Sequence, residues 1–268
     1  MTGAASRGAA AAVATARSAP LRPAVFIDKD GTLIENVPYN ADPALLRFAP
    51  AACESLVALA AAGYALLVVT NQSGLALGCF TRAQFALLQA ALELRLHTEA
   101  GIVLTDFVLC PHAPGPGGMP ACLCRKPAPG MLLRAARRHG LDLSRSWMVG
   151  DTLDDVEAGR RAGCRSVLLD SGGETVWRHS PLRTPHAVHT DWGGVVQAIL
   201  AEQPSVAVAE DLGGDGLGAH DPACDRSARA VQPAAMQGLA AVSRRNVALP
   251  LSLIPSRAGR LGPAFGRS

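Results

Sequence analysis

At 268 residues, 49% of them hydrophobic and 18% charged, the chain is long enough to bury one sizeable core; with only 4% aromatics, that core must rest on Leu, Val, Ile and Ala. A net charge of +3, with no basic run flanked by aromatics, argues against a nucleic-acid binder. Seven cysteines are an odd number for a disulfide framework, and no run approaches the ~18 apolar residues of a membrane span, so a cytoplasmic protein without a membrane partner is expected.

The Ala-rich opening, residues 1–21, has no leucine-rich targeting core and is expected to be a disordered extension. AVFI (24–27) reads as a buried strand, and 51–62 as a helix entered after Pro50 and stopped by Gly63. YALLVVT (64–70) is the strongest strand signal. A helix over 82–97 follows, with Thr81 placed to cap it. DFVLC (106–110) is a strand, and 131–139 a helix opened by Pro129 and closed by Gly140. WMVG (147–150), a helix over 153–162 and SVLLD (166–170) complete the regular part, with a weaker unit over 186–200. From Glu202 the pattern is lost; ALPLSLI (248–254) is the one clearly apolar run, and a poorly ordered tail is expected over 202–268.

Strands alternating with helices predict an α/β domain over 22–201: a Rossmann-like, mostly parallel sheet with helices on both faces. In such a fold ligands bind at the carboxyl ends of the strands. Those ends read Asp28, Thr70, Cys110 and Asp151.

FIDKDGT (26–32) places Asp28 and Asp30 just past the first strand, and GDTLDD (150–155) places Asp151 past another, with Asp155 a helical turn later. If two such strand ends lie side by side, three or four carboxylates converge, and they repel unless a cation sits among them. Oxygen ligands without a His point to Mg²⁺, and a hard cation over carboxylates usually attends phosphate. One carboxylate can attack phosphorus, and the second, two residues on, can protonate the leaving oxygen and then activate water. TNQSG (70–74) offers Thr70 and Asn71 to phosphoryl oxygens. RKPAPG (125–130) offers Lys126 as a point charge and Arg125 as a fork for a second anionic group. Of the 25 basic residues only Lys29 and Lys126 are lysines.

Taken together, FIDKDGT, TNQSG, CRKPAPGM and VGDTLDDVEAG resemble the haloacid dehalogenase-like phosphatases, and within them the histidinol-phosphatase and D-glycero-D-manno-heptose-1,7-bisphosphate 7-phosphatase group. The resemblance runs from about residue 24 to 177. It implies Asp28 as nucleophile and Asp30 as general acid and then base. Mg²⁺ would be held by Asp28, the Asp30 main-chain carbonyl and Asp151, with Asp155 in support. Thr70 and Lys126 would hold the transferring phosphoryl group, and Asn36, Tyr39, Asn71, Gln72, Ser73 and Arg125 would contact the substrate. It also implies a small phosphorylated metabolite as substrate, and a chain without a large cap domain. The chain departs from the group's pattern at three places: Lys29 stands where Arg is usual, Leu77 where an Arg is frequent, and Thr152 where the heptose enzymes have a substrate-contacting Lys.

Cys110, His112, Cys122 and Cys124 bracket a Pro/Gly-rich loop too poor in bulky apolar groups to bury three thiols. Three thiols and an imidazole make a closed tetrahedral Zn²⁺ set, which occurs in members of the resembled group. The remaining cysteines and histidines form no convergent set. The expected activity is a monomeric phosphomonoesterase acting first on heptose 1,7-bisphosphate, then on histidinol phosphate or another small sugar phosphate. The alternatives are a non-catalytic regulatory relative and a nucleic-acid 3′-phosphatase; the second would want a basic groove.

Overall fold

A computed structural model describes residues 20–118 and 121–202 of the chain. Nearly all of the N-terminal extension and of the C-terminal tail, with His220, Cys224 and the ALPLSLI run, lies outside the described residues.

Six strands form one parallel sheet in the order β3-β2-β1-β4-β5-β6. In chain order they are β1 (Ala24–Ile27), β2 (Ala65–Asn71), β3 (Asp106–Cys110), β4 (Trp147–Gly150), β5 (Arg165–Leu169) and β6 (Ala187–His189). The helices are α1 (Ala52–Ala61), α2 (Gly74–Leu77), α3 (Arg82–Ala100), α4 (Gly130–His139), α5 (Leu153–Ala162) and α6 (Trp192–Ala201). Successive side chains of a strand point to opposite faces, and here both faces are covered. Val25 and Ile27 of β1, with Leu66 and Val68 of β2, pack with Leu56, Leu88 and Ile199 of α1, α3 and α6. Ala24 and Phe26, with Leu67 and Val69, pack on the other face with Leu132 and Ala158 of α4 and α5. Each fully buried side chain of this kind contributes roughly 1.5–3 kcal/mol, so the strands at the centre are the most firmly held part of the domain.

The expected elements are present, with shifts at their ends. Helix α3 runs a turn beyond His97, because its stop is Gly101, at φ 68, whose N–H reaches the carbonyls of Leu96 and His97. Thr81 caps its start as expected, in a reciprocal capping box with Gln84. Helix α2, a single turn directly after TNQS, has no counterpart among the sequence expectations. Strand β2 begins and ends one residue later than expected, at Asn71.

The chain reverses direction of growth at β1: one half of the sheet is built outward through β2 and β3, the other through β4, β5 and β6. β1 and β4 are neighbours, with Phe26 opposite Met148 and Ile27 opposite Val149. This is the switch point at which parallel sheets open a crevice. Asp28 follows β1 and Asp151 follows β4, so both emerge there. Among the described residues no domain is inserted between these motifs, and no helix is long and apolar enough to cross a membrane.

Candidate active site

The turn after β1 carries the first two carboxylates. The Asp28 N–H donates to Val149 O at 2.9 Å, tying its main chain to β4, and Ile34 N donates back to Lys29 O at 2.9 Å to close the turn. Gly31 sits at φ +80, a left-handed value that suits glycine. A Cβ at this position would also lie 2.1 Å from Asp151 Oδ2, so the turn has to be glycine for two independent reasons. The last helix supports it as well: the buried Trp192 Nε1–H donates to Thr32 O at 2.9 Å.

Asp28, Asp151 and Asp155 are all buried, and their ligand oxygens lie within 4.8 Å of one another. Lys126 enters this group, 97% buried, with Nζ 2.5 Å from Asp28 Oδ1 and 2.6 Å from Asp155 Oδ1. It also donates to Val69 O at 3.0 Å. Asp155 does two things. Its Oδ2 accepts from the Thr152 N–H and hydroxyl at the start of α5, and its Oδ1 has the lysine as ion partner but no aligned hydrogen bond.

Three acids against one lysine leave the group short of positive charge. Burial pushes Asp28 up to about 8; Lys126 opposes this, while Asp155, Asp151 and Asp30 add to it. Asp151 is pushed up to about 7, first by burial and then by Asp155. Lys126 is moved the other way: burial would lower it, but Asp155 and Asp28 outweigh that and hold it firmly protonated. Buried carboxylate oxygens held this close together, with Asp155 Oδ1 lacking an aligned hydrogen bond, fit a hard divalent cation, and Mg²⁺ is the ion that such a donor set suits.

Asp30 stands apart from this trio. Its Oδ1 pairs with Lys29 and its Oδ2 accepts from Gln72 Nε2 at 2.9 Å. Lys29 is buried, lying 5.9 Å from the centre of the Phe85 ring, and its ammonium pairs with Asp30. Gln72 Nε2 also lies 2.9 Å from Thr70 Oγ1, so one amide links the end of β2 to Asp30. The sequence offered no signal for either link beyond the rarity of lysine.

Asn71 is used inside the protein: its side chain donates to Lys126 O at 3.1 Å and accepts from Lys126 N at 3.0 Å. This clamp fixes the lysine's main chain against β2. Asn36, Tyr39, Asn71, Gln72 and Ser73, with Asp30, line a cleft of about 310 Å³ beside the carboxylates. Tyr39 is exposed and at φ 53. Arg125 donates to His112 O at 3.3 Å, along the loop that joins the two halves of the cysteine set.

That set is assembled. Cys124 Sγ lies 3.3 Å from Cys110 Sγ, from Cys122 Sγ and from His112 Nδ1, and Cys110 Sγ lies 3.6 Å from Cys122 Sγ and 3.5 Å from His112 Nδ1. A tetrahedral ion at ~2.3 Å from sulfur gives S···S edges of ~3.8 Å, so the four groups stand within a few tenths of an ångström of that figure. The Arg125 N–H donates to Cys122 Sγ at 3.3 Å, which joins the set directly to the residue before Lys126. Cys53 and Cys164 pack against the core, and Cys79 is exposed. His139 pairs with Asp106 at 2.8 Å, on the far side of the molecule's chemistry-bearing edge.

Comparison with known proteins gives a consistent set of relatives. A HAD-hydrolase-like family model matches residues 123–193. The chain is 39% identical over 160 residues to the D-glycero-beta-D-manno-heptose-1,7-bisphosphate 7-phosphatase of Mesorhizobium japonicum, covering 59% of this chain and 73% of that one. It is 37% identical over 151 residues to the Pseudomonas aeruginosa protein of the same name, covering 56% of this chain and 82% of that one. The solved D,D-heptose 1,7-bisphosphate phosphatase of B. bronchiseptica, complexed with magnesium and phosphate, superposes with a TM-score of 0.56 at 30% identity, covering 68% of this chain and all of the other.

Proposed function

The chain belongs to the HAD-like phosphatases, beside those named for heptose 1,7-bisphosphate, and from that membership we propose that it removes the 7-phosphate of D-glycero-D-manno-heptose 1,7-bisphosphate through an aspartyl-phosphate on Asp28. The observation that carries the mechanism is the buried Asp28–Lys126 pair at the end of β1, facing Asp151 and Asp155. Asp28 attacks phosphorus, and the bond from phosphorus to the sugar oxygen breaks. Asp30 gives its proton to that leaving oxygen, then takes one from the water that attacks the aspartyl-phosphate at phosphorus. Lys126 and Thr70 hold the non-bridging oxygens through the transfer. Asp28, the Asp30 carbonyl and Asp151, with Asp155 in support, would hold Mg²⁺, which would supply charge neutralisation for the phosphoryl group.

Lys29 and Gln72 keep the Asp30 side chain at the rim of the cleft, which suits a group that must meet both a leaving oxygen and a water. The cleft at Asn36 and Tyr39 is small, which suits a small metabolite, and the reading takes the enzyme to be a cytoplasmic monomer. With Leu77 and Thr152 in place of positive groups, Arg125 is the cation left to hold the second phosphate. Histidinol phosphate and other small sugar phosphates are the next candidates. The test is phosphate release, with and without Mg²⁺, across heptose 1,7-bisphosphate, histidinol phosphate and short sugar phosphates. The heptose bisphosphate is expected to show the highest kcat/KM; a faster reaction with a monophosphate would overturn the substrate, and no Mg²⁺-dependent release from any would overturn the activity.

The reading includes Zn²⁺ at Cys110, His112, Cys122 and Cys124, with a structural role. The loop leads into Arg125 and Lys126, so fixing it fixes where those cations stand. Cys124→Ala, or removal of zinc by a chelator, is expected to lower the melting temperature and to raise KM more than it lowers kcat, because Lys126 keeps its anchors at Asn71 and Val69. Melting curves and steady-state kinetics on protein of known zinc content check this. Unchanged stability after verified zinc removal would contradict it.

A further inference from the structure

The segment that leaves β5 crosses the site and is fastened at both ends. Ser171 Oγ donates to Gly31 O at 3.2 Å. Glu174 accepts the Leu153 N–H through Oε2 at 3.0 Å and the Val176 N–H through Oε1 at 2.8 Å. Between these ties lies Gly173, where a Cβ would stand 2.2 Å from Asp151 Oδ2. Gly31 approaches the same oxygen from its own side of the site, and Thr32 Oγ1 lies 3.4 Å from Asp151 Oδ1. The Asp151 carboxylate is thus walled by two glycine main chains and a hydroxyl.

Leu153 is the first residue of α5, two positions beyond Asp151. The start of that helix already has a reciprocal capping box between Thr152 and Asp155, so it does not depend on Glu174 for its cap. The strap does depend on Glu174. It contains Gly172, at φ 85, and Gly173, and two adjacent glycines leave a segment free to wander unless something else holds it. We propose that Glu174 is a positioning residue for Asp151: by joining the Leu153 N–H to its own loop, it presses Gly173 against the Asp151 carboxylate and keeps that carboxylate turned toward Asp28 and Asp155. The inference rests on the reading of Asp151 as a Mg²⁺ ligand. Groups that orient a ligand from behind typically alter metal affinity by about 10- to 100-fold when lost.

The experiment is calorimetric titration of Mg²⁺ into metal-free wild-type protein and into Glu174→Ala, Glu174→Gln and Asp151→Asn. Glu174→Ala is expected to bind Mg²⁺ about 10-fold more weakly or worse. Glu174→Gln keeps an amide oxygen for the Leu153 N–H but loses the acceptor for the Val176 N–H, and is expected to recover part of that loss. In kinetics the Glu174→Ala defect should appear as a raised Mg²⁺ requirement, with kcat at saturating Mg²⁺ near the wild-type value; general loosening of the fold would lower both. Should Glu174→Ala fail to fold, Gly173→Ala tests the same wall from inside and is expected to weaken Mg²⁺ binding at least as much. Wild-type affinity in Glu174→Ala, or no recovery in Glu174→Gln, with binding lost in Asp151→Asn, would overturn the role of Glu174 and leave the site as read. Undiminished binding in Asp151→Asn would overturn the reading of the ligand itself, and the role of Glu174 with it.

Discussion

Asp28→Asn is expected to lower phosphate release by on the order of 10⁴- to 10⁶-fold, the scale at which an enzyme loses its nucleophile. An amide nitrogen and oxygen fill the same space, but neither attacks phosphorus. The fold should survive, for a reason the site makes plain. Asp28 is buried beside Asp151 and Asp155, and in the metal-free protein its carboxyl is raised to about 8. A group that holds its proton more tightly folded than unfolded contributes stability that is complete below its unfolded value of 3.8 and is lost as pH rises through about 8. A neutral amide escapes that loss. Metal-free Asp28→Asn should therefore melt at least as high as wild type above pH ~8 while being inactive at every pH. Activity within tenfold of wild type would mean that another group attacks phosphorus.

Lys126→Met should be nearly as damaging, and in two ways. The phosphoryl oxygens lose a fixed positive charge, and removing a donor of that kind lowers kcat by about 10²- to 10³-fold. Asp28 and Asp155 also lose the ammonium that stands 2.5 and 2.6 Å from them, and removing one partner of a buried pair costs roughly 3–5 kcal/mol. The sign of the pH dependence follows from the same cluster. Lys126 is what pulls Asp28 down, so without it Asp28 rises further, and the decline in stability that begins at the unfolded value of 3.8 continues to a higher pH. The variant should lie closest to wild type in acid and furthest from it at alkaline pH, and Mg²⁺ should recover part of the difference. Melting curves from pH 4 to 9 with and without Mg²⁺ read this directly. A constant offset across that range would contradict the view that the lysine acts on buried carboxylates.

How much of this was legible beforehand depends on the range over which each feature is encoded. The strands could be read because burial on both faces leaves continuous apolar runs such as AVFI and LLVV. The helix stops at Gly63 and Gly140 are legible as glycines that break an apolar pattern, but the stop of α3 at Gly101 is not, and the sequence reading ends that helix a turn short at His97. Asp28, Lys126 and Asp151 were legible as types at strand ends; that β1 and β4 are neighbours, which brings them together, is a property of the sheet order. The cysteine set was legible because its chemistry leaves few other reasons for three thiols in an apolar-poor loop.

The supporting contacts were not legible. Glu174 acts on Leu153, 21 residues away, through a loop with no periodic pattern. Lys29 stands out in the sequence as one of two lysines at a place where Arg is usual, but nothing there places it under Phe85 and against Asp30. Asn71 is placed at the cleft by its motif, and nothing in the sequence shows that its side chain also clamps the main chain of Lys126. In each case the residue type was noticed or available, and its partner was set by packing between elements distant in sequence.

The central claim is that phosphorus is carried on Asp28, and trapping that intermediate tests it most directly. Wild-type protein turning over heptose 1,7-bisphosphate with Mg²⁺ is quenched within milliseconds and treated with borohydride, which reduces an acyl phosphate to the alcohol. Mass spectrometry of the peptide that spans FIDKDGT should then find homoserine at position 28, with Asp30 unchanged and no conversion when Mg²⁺ or substrate is left out. Homoserine at position 30, or an unmodified peptide during demonstrated rapid turnover with dephosphorylation shown to be rate-limiting, would contradict Asp28 as the group that takes the phosphate.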